Sequence, residues 1–225
     1  MCLPALVDLC RKADVELIAG AYALPVWQWA KEHVIGADYK ITRVIEDPDA
    51  PGHPFEPALG FPAIDKAAEM IRNERPGVTV LSYREIGNAY AYGGVYPPLK
   101  LKDLEVKDGD TVVIHPFTRH IWKNCMMTIR SLDFAKPVQV VGLPGEWVEQ
   151  RWKQLSGFDT MARAVLHCAG FVGVLSSWTN FAALFEKRQV IVSYTPEVPI
   201  RNPRARVLVN PSIPELQSVC TEMGL

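Results

Sequence analysis

Several signatures that would announce a chemistry are missing from this chain. No GxGxxG and no GxxxxGK[ST] occurs, which removes the dinucleotide fingerprint and the P-loop. There is no GxSxG elbow. His33, His53, His115, His120 and His167 form no HExxH, so a zinc hydrolase is not indicated. Cys2, Cys10, Cys125, Cys168 and Cys220 are scattered, odd in number and without a CxxC pair. That pattern suits neither a zinc site nor a disulfide framework, and fits idle thiols in a reducing compartment. No run approaches the roughly 20 apolar residues that cross a bilayer, and a net charge of −1 gives no bulk attraction to nucleic acid or anionic lipid. The opening MCLPALVDLCRKAD lacks a basic stretch and meets Asp8 early, unlike a secretory signal. The expectation is a cytoplasmic protein with no metal, no transmembrane segment and no nucleic-acid partner.

What is present is an ordinary globular composition, 48% hydrophobic and 22% charged, on 225 residues. That length suffices for one large domain or two small ones. Apolar spacing predicts a helix over 3–13, and VELIAG (15–20) reads as a buried strand. LPVWQWAKEHVIG (24–36) reads as a helix with Pro25 near its start and Gly36 at its end, and ITRVIEDP (41–48) as a strand. The alternation points to an α/β layer with parallel strands. Trp27 and Trp29 fit core or interface packing. Residues 47–62 carry five prolines and two glycines and read as a loop, followed by a helix over about 62–75 and a strand, VTVLSY, over 78–83. A Gly-, Tyr- and Pro-rich connection (86–109) then separates two halves, residues 1–98 and 99–225.

The second half restarts with TVVIHP (111–116), a helix in WKNCMMTIRSLDFA, and a strand in VQVVGLPGE (138–146). EWVEQRWKQL and FDTMARAVLHCA (158–169) read as helices, FVGVLSS (171–177) as a strand, TNFAALFEKR as a helix and QVIVSY (189–194) as a strand. RVLVN (206–210) suggests one more strand, and Ser212 with Glu215 forms a capping-box pattern before a last helix.

Ligands of parallel α/β sheets bind beyond the carboxyl ends of the strands. Three such ends carry polar residues: HPFTRH (115–120), GLPGE (142–146) and SSWTN (176–180). They offer Thr118 and Arg119, Glu146, and the group Ser176, Ser177, Thr179 and Asn180 at a helix start. Free N–H groups and the helix dipole favour an anion there. Arg119 is suited to bidentate pairing with a phosphate, and Glu146 to a ribose diol. The set fits a nucleotide diphosphate. Each part also has a plain structural role: the serines as helix caps, His115 as a hydrogen-bonded structural histidine, Arg119 and Glu146 as solvated surface.

The three blocks together resemble the nucleotide-sugar-binding half of glycosyltransferase family 9, the ADP-heptose:lipopolysaccharide heptosyltransferase-like proteins of GT-B fold. VVIHPFTRHIWK (112–123) is similar to the family's strand ending in an HPG or HxTTR-like segment, VVGLPGE to its Gly…Glu turn, and GVLSSWTNFAAL (173–184) to its DSGxxHLAAA-like helix start. At the last block Leu175 stands for the family's Asp, Ser177 for its Gly and Asn180 for its His; Lys123 follows Trp122 instead of preceding it. The resemblance implies two Rossmann-like α/β halves, parallel sheets flanked by helices, with residues 1–98 as a reduced acceptor-side half and 99–225 as the nucleotide-sugar half. Pro4, Ala5 and Leu6 match the end of the family's GDxxxxxPAL-like turn. The expectation is therefore a sequence without that turn's strand and its Asp base, either because the true start lies further upstream or because the chain is a minimal relative that lost them.

What this implies is a glycosyltransferase-like protein with no cofactor. It binds a nucleotide-diphosphate sugar through Thr118, Arg119, Glu146, Ser176, Ser177 and Asn180, and transfers hexosyl or heptosyl to an unidentified acceptor hydroxyl. Asp8, His53 and His115, with Asp47 and Asp49, are the weak candidates for its base. A non-catalytic sugar-nucleotide-binding protein and a GT-B-like nucleotide-sugar epimerase are the alternatives.

Overall fold

The structure is a computed structural model and describes residues 3–20, 23–45, 68–82, 85, 99–116, 129–142, 151–193, 200 and 202–225. The chain divides into two compact units, residues 2–102 and 103–225.

The first unit opens with α1 (Leu3–Cys10), β1 (Val15–Gly20), α2 (Leu24–His33) and β2 (Tyr39–Ile45). Leu3, Pro4, Ala5, Leu6 and Val7 are all buried, more than one helix face, so α1 is enclosed on several sides. Proline occupies the first turn of α2, and the chain leaves the helix at Val34. It turns at Gly36, whose φ of +83° suits glycine. β1 and β2 pair in parallel, with a one-residue slip between Leu17 and Ile18. Trp27 and Trp29 are both core residues. Trp27 meets Tyr39 edge-on, and the Tyr39 hydroxyl donates to the Trp27 carbonyl at 2.5 Å. Residues 99–102 stay with this unit because Leu101 bridges Val34, Ile35 N–H donates to the Lys100 carbonyl and Lys102 N–H to that of His33.

Residues 68–74 are helical, inside the predicted helix; 62–67 lie outside the described residues. The strand expected over 78–83 is corrected: 78–82 join no strand, and Val78 and Leu81 are exposed. Ser82 and Glu85 explain it. Glu85 N–H donates to Ser82 Oγ at 3.2 Å while Ser82 N–H donates to the Glu85 carboxylate at 2.5 Å, a reciprocal cap that commits the end of the run to a helix start. Arg72 donates to the Val80 carbonyl at 2.9 Å and to the Glu85 carboxylate.

Among its described residues the second unit holds six strands: β3 (Val112–His115), β4 (Val138–Val140), β5 (Lys153–Gln154), β6 (Gly170–Val174), β7 (Gln189–Ser193) and β8 (Ala205–Val209). Between them run α3 (Phe158–Leu166) and α4 (Ser177–Leu184), and α5 (Ile213–Glu222) follows. The sheet order is β5-β4-β3-β6-β7-β8 and every neighbouring pair is parallel. Counted from β3 this is 3-2-1-4-5-6, the doubly wound, Rossmann-like order. Period-2 alternation divides the sheet residues between two faces. Val112, Ile114, Val172, Val174, Val190 and Val192 pack with Ile129 and Leu132 and with Leu216 and Cys220 of α5. Gln189 points the other way and reaches α4. The predicted capping box closes on α5: Ser212 accepts from Glu215 N–H, and the Glu215 carboxylate from Ser212 N–H, each at 3.3 Å.

Two helix expectations change. Within EWVEQRWKQL, Lys153 and Gln154 are strand, paired with Gln139 and Val140, and Leu155 N–H donates to the Val140 carbonyl at 2.8 Å; 143–150 lie outside the described residues. The open edge of β4 outweighs the local helical preference there. Of WKNCMMTIRSLDFA, residues 129–130 are helical, the chain leaves the helix at Ser131, and 117–128 lie outside the described residues. Among the described residues no helix is long and apolar enough to cross a membrane.

Candidate functional site

The three polar blocks follow β3, β4 and β6, and these strands are immediate neighbours in the order β4-β3-β6. Since all are parallel, their carboxyl ends lie side by side on one edge of the sheet. Chain order reverses between β3 and β6, which makes that gap the topological switch point where open α/β sheets open a crevice. His115 ends β3 and is aligned with Gly173 of β6. A side chain at 173 would start 2.8 Å from the Phe171 ring and 3.1 Å from the His115 carbonyl, so the two strands approach closely only over glycine.

Two residues beyond β6, Ser176 adopts an extended backbone and caps α4: its Oγ accepts from Thr179 N–H at 3.3 Å. Thr179 is fully buried and its hydroxyl donates to the Val174 carbonyl at 2.5 Å. Asn180 Nδ2 donates to the Ser176 carbonyl at 2.9 Å. Ser176 and Asn180 therefore hold the turn together, as cap residues do. Ser177 is different. It is exposed at the first helical position, and neither its hydroxyl nor the N–H groups of Ser177 and Trp178 have a partner among the described residues. These N–H groups carry the positive end of the helix dipole and face an anion favourably.

The turn is braced from below by residues whose role the sequence reading missed. Gln189, fully buried, donates from Nε2 to the Thr179 carbonyl at 2.8 Å; Asn202 Nδ2 donates to Gln189 Oε1 and to the Lys187 carbonyl, both at 2.7 Å. The available signal was a glutamine at the head of an otherwise apolar strand run. A buried amide needs partners, but which ones depends on the loop into β8.

His115 lies on a buried strand end, and burial pushes its pKa down to about 3. The imidazole is neutral at physiological pH, brings no charge to an anion, and is far from the proton affinity that suits a general base near neutrality. A stability effect follows. The unfolded histidine takes up a proton near pH 6.5 and the folded one does not until about pH 3. Stability from this group is therefore fully present above about pH 6.5 and declines as pH falls towards 3, by up to about 1.4 kcal/mol per pH unit. Between pH 7 and 5 the expected loss is about 2 kcal/mol. Urea titrations at both pH values, on the wild type and His115→Asn, test it: equal losses in the two proteins exclude His115 as the source.

Asp8 sits on α1 in the first unit, with its carboxylate 2.6 Å from Lys12 Nζ one turn on. His53, Asp47, Asp49, Thr118, Arg119 and Glu146 lie outside the described residues. Cys10, Cys168 and Cys220 are free thiols, and burial pushes Cys168 and Cys220 up to about 12, far from a reactive thiolate. Among the described residues no group of three or more His, Cys, Asp or Glu is placed to hold a metal ion. Compared with protein-family models, curated proteins and solved structures, the chain matches none.

Proposed function

We propose that residues 103–225 bind a nucleotide-diphosphate sugar at the carboxyl edge of β4, β3 and β6, and that the chain transfers its glycosyl group to an acceptor hydroxyl. The observation that carries the reading is the strand order. Its reversal falls between the two blocks, HPFTRH and SSWTN, that the sequence nominates for the diphosphate. In this reading the N–H groups of Ser177 and Trp178 at the start of α4 and the Ser177 hydroxyl take phosphate oxygens, with Thr118 and Arg119 as further phosphate ligands and Glu146 on the ribose. Such groups act on the charge that develops on a leaving diphosphate.

A second reading, binding without turnover, is favoured by the state of the base candidates. His115 is held neutral with a pKa near 3, and Asp8 is paired with Lys12. Thermal shift against ADP-, UDP-, GDP- and CDP-sugars, followed by assay for released nucleoside diphosphate with hydroxyl acceptors, separates the two. Stabilisation with release supports transfer. Stabilisation without release supports the binding protein, and no stabilisation by any nucleotide removes both.

A further inference from the structure

α3 runs from β5 to β6 and α4 from β6 to β7, so each follows a parallel strand and begins at the carboxyl edge of the sheet. Phe158 is the first residue of α3 and Trp178 the second of α4. Their rings stack with centroids 5.1 Å apart and planes at 23°. Both stand edge-on to Phe181, at 6.0 and 5.6 Å, and Phe181 continues to Phe185 at 5.2 Å. Burial is graded along this row. Phe181 is 1% exposed and Phe185 7%, whereas Phe158 and Trp178 are only half-buried. The inner rings already join the two helices; aromatic surface reaches solvent at the end of the row, beside exposed Ser177. The turn that carries Trp178 is held by the Ser176, Thr179 and Gln189 hydrogen bonds, so the indole is presented on a rigid support.

We propose that the Phe158–Trp178 pair is a ring-binding wall of the crevice, on which Trp178 stacks a ring of the ligand, either its base or its sugar. The inference rests on the sugar-nucleotide reading above and gives that ligand a stacking contact the diphosphate groups do not supply. Removal of one such contact lowers affinity by roughly tenfold or more. The test uses the full chain, Trp178→Leu, which keeps apolar bulk and removes the π face, and Trp178→Phe, which keeps a smaller one. Melting curves by circular dichroism establish that the proteins are folded at the titration temperature. Calorimetric titration then uses ADP, UDP, GDP, ADP-glucose, UDP-glucose, GDP-mannose and glucose.

The expected result is a Kd at least tenfold weaker in Trp178→Leu for whichever nucleotide binds the wild type, with Trp178→Phe within about threefold. A loss shared by the nucleoside diphosphate and its sugar conjugate assigns the base to the indole; a loss confined to the conjugate assigns the sugar. An unchanged Kd in Trp178→Leu overturns the inference and leaves the proposed function standing. Failure of every nucleotide to bind the wild type overturns both.

Discussion

Lys187→Met is expected to destabilise residues 103–225 by about 1–3 kcal/mol, the range for leaving a buried acceptor without its donor. Lys187 is 1% exposed, and its ammonium donates to the carbonyls of Lys107 at 2.7 Å and Leu166 at 3.2 Å and to the Asp108 carboxylate at 3.0 Å. Methionine fills most of the volume but removes this donor from the Lys107 carbonyl and the Asp108 carboxylate, whereas the Leu166 carbonyl keeps the Lys107 N–H. Asp108 is the useful contrast. The Arg204 guanidinium at 2.7 Å, with Lys187 beside it, holds its carboxyl below the usual range, yet its side chain is 42% exposed. Water replaces much of what Asp108→Asn removes, and its expected cost is about 1 kcal/mol or less. Urea denaturation of both variants decides. Equal small losses would show that the Lys187 carbonyl contacts are not what stabilises this end of the sheet.

Gly109→Ala is expected to cost about 3 kcal/mol, at the upper end of overpacking effects. A Cβ on residue 109 would run into the His167 carbonyl oxygen, well inside contact distance. The obstacle is backbone, and both sides are pinned: Lys107 N–H donates to the Leu166 carbonyl, His167 N–H to that of Arg163, and Ala169 N–H to that of Thr111. No side-chain rotation relieves the clash, so the chain must shift against these hydrogen bonds. A melting temperature within 2 °C of wild type would correspond to under about 1 kcal/mol and would contradict the close approach.

Both positions are fold determinants that no local pattern announced. Lys187 stands at the end of the predicted helix TNFAALFEKR, and Gly109 closes the connection read over 86–109. Their weight comes from segments distant along the chain. Lys187 meets Lys107 and Asp108 across about 80 residues, and Gly109 meets His167. The same holds for Gln189 and Asn202. The strand expected at 78–83 gave way to a short-range signal instead, the cap between Ser82 and Glu85.

What could be read along the chain was whatever depends on nearest neighbours. VELIAG matched β1 residue for residue, QVIVS lies inside the predicted strand, and the Ser212–Glu215 cap opened the last helix as expected. These signals are alternation, run length and i-to-i+3 capping, which act over a few residues. The three polar strand ends were also legible, since each is a change of composition at the close of an apolar run. That they are neighbours was not. Adjacency of β4, β3 and β6, and hence the place of the β3–β6 reversal, depends on which strands pair across 20 to 60 residues. The burial that leaves His115 neutral and Ser177 exposed follows from that pairing, because charge state and access belong to the packed sheet and not to the residue.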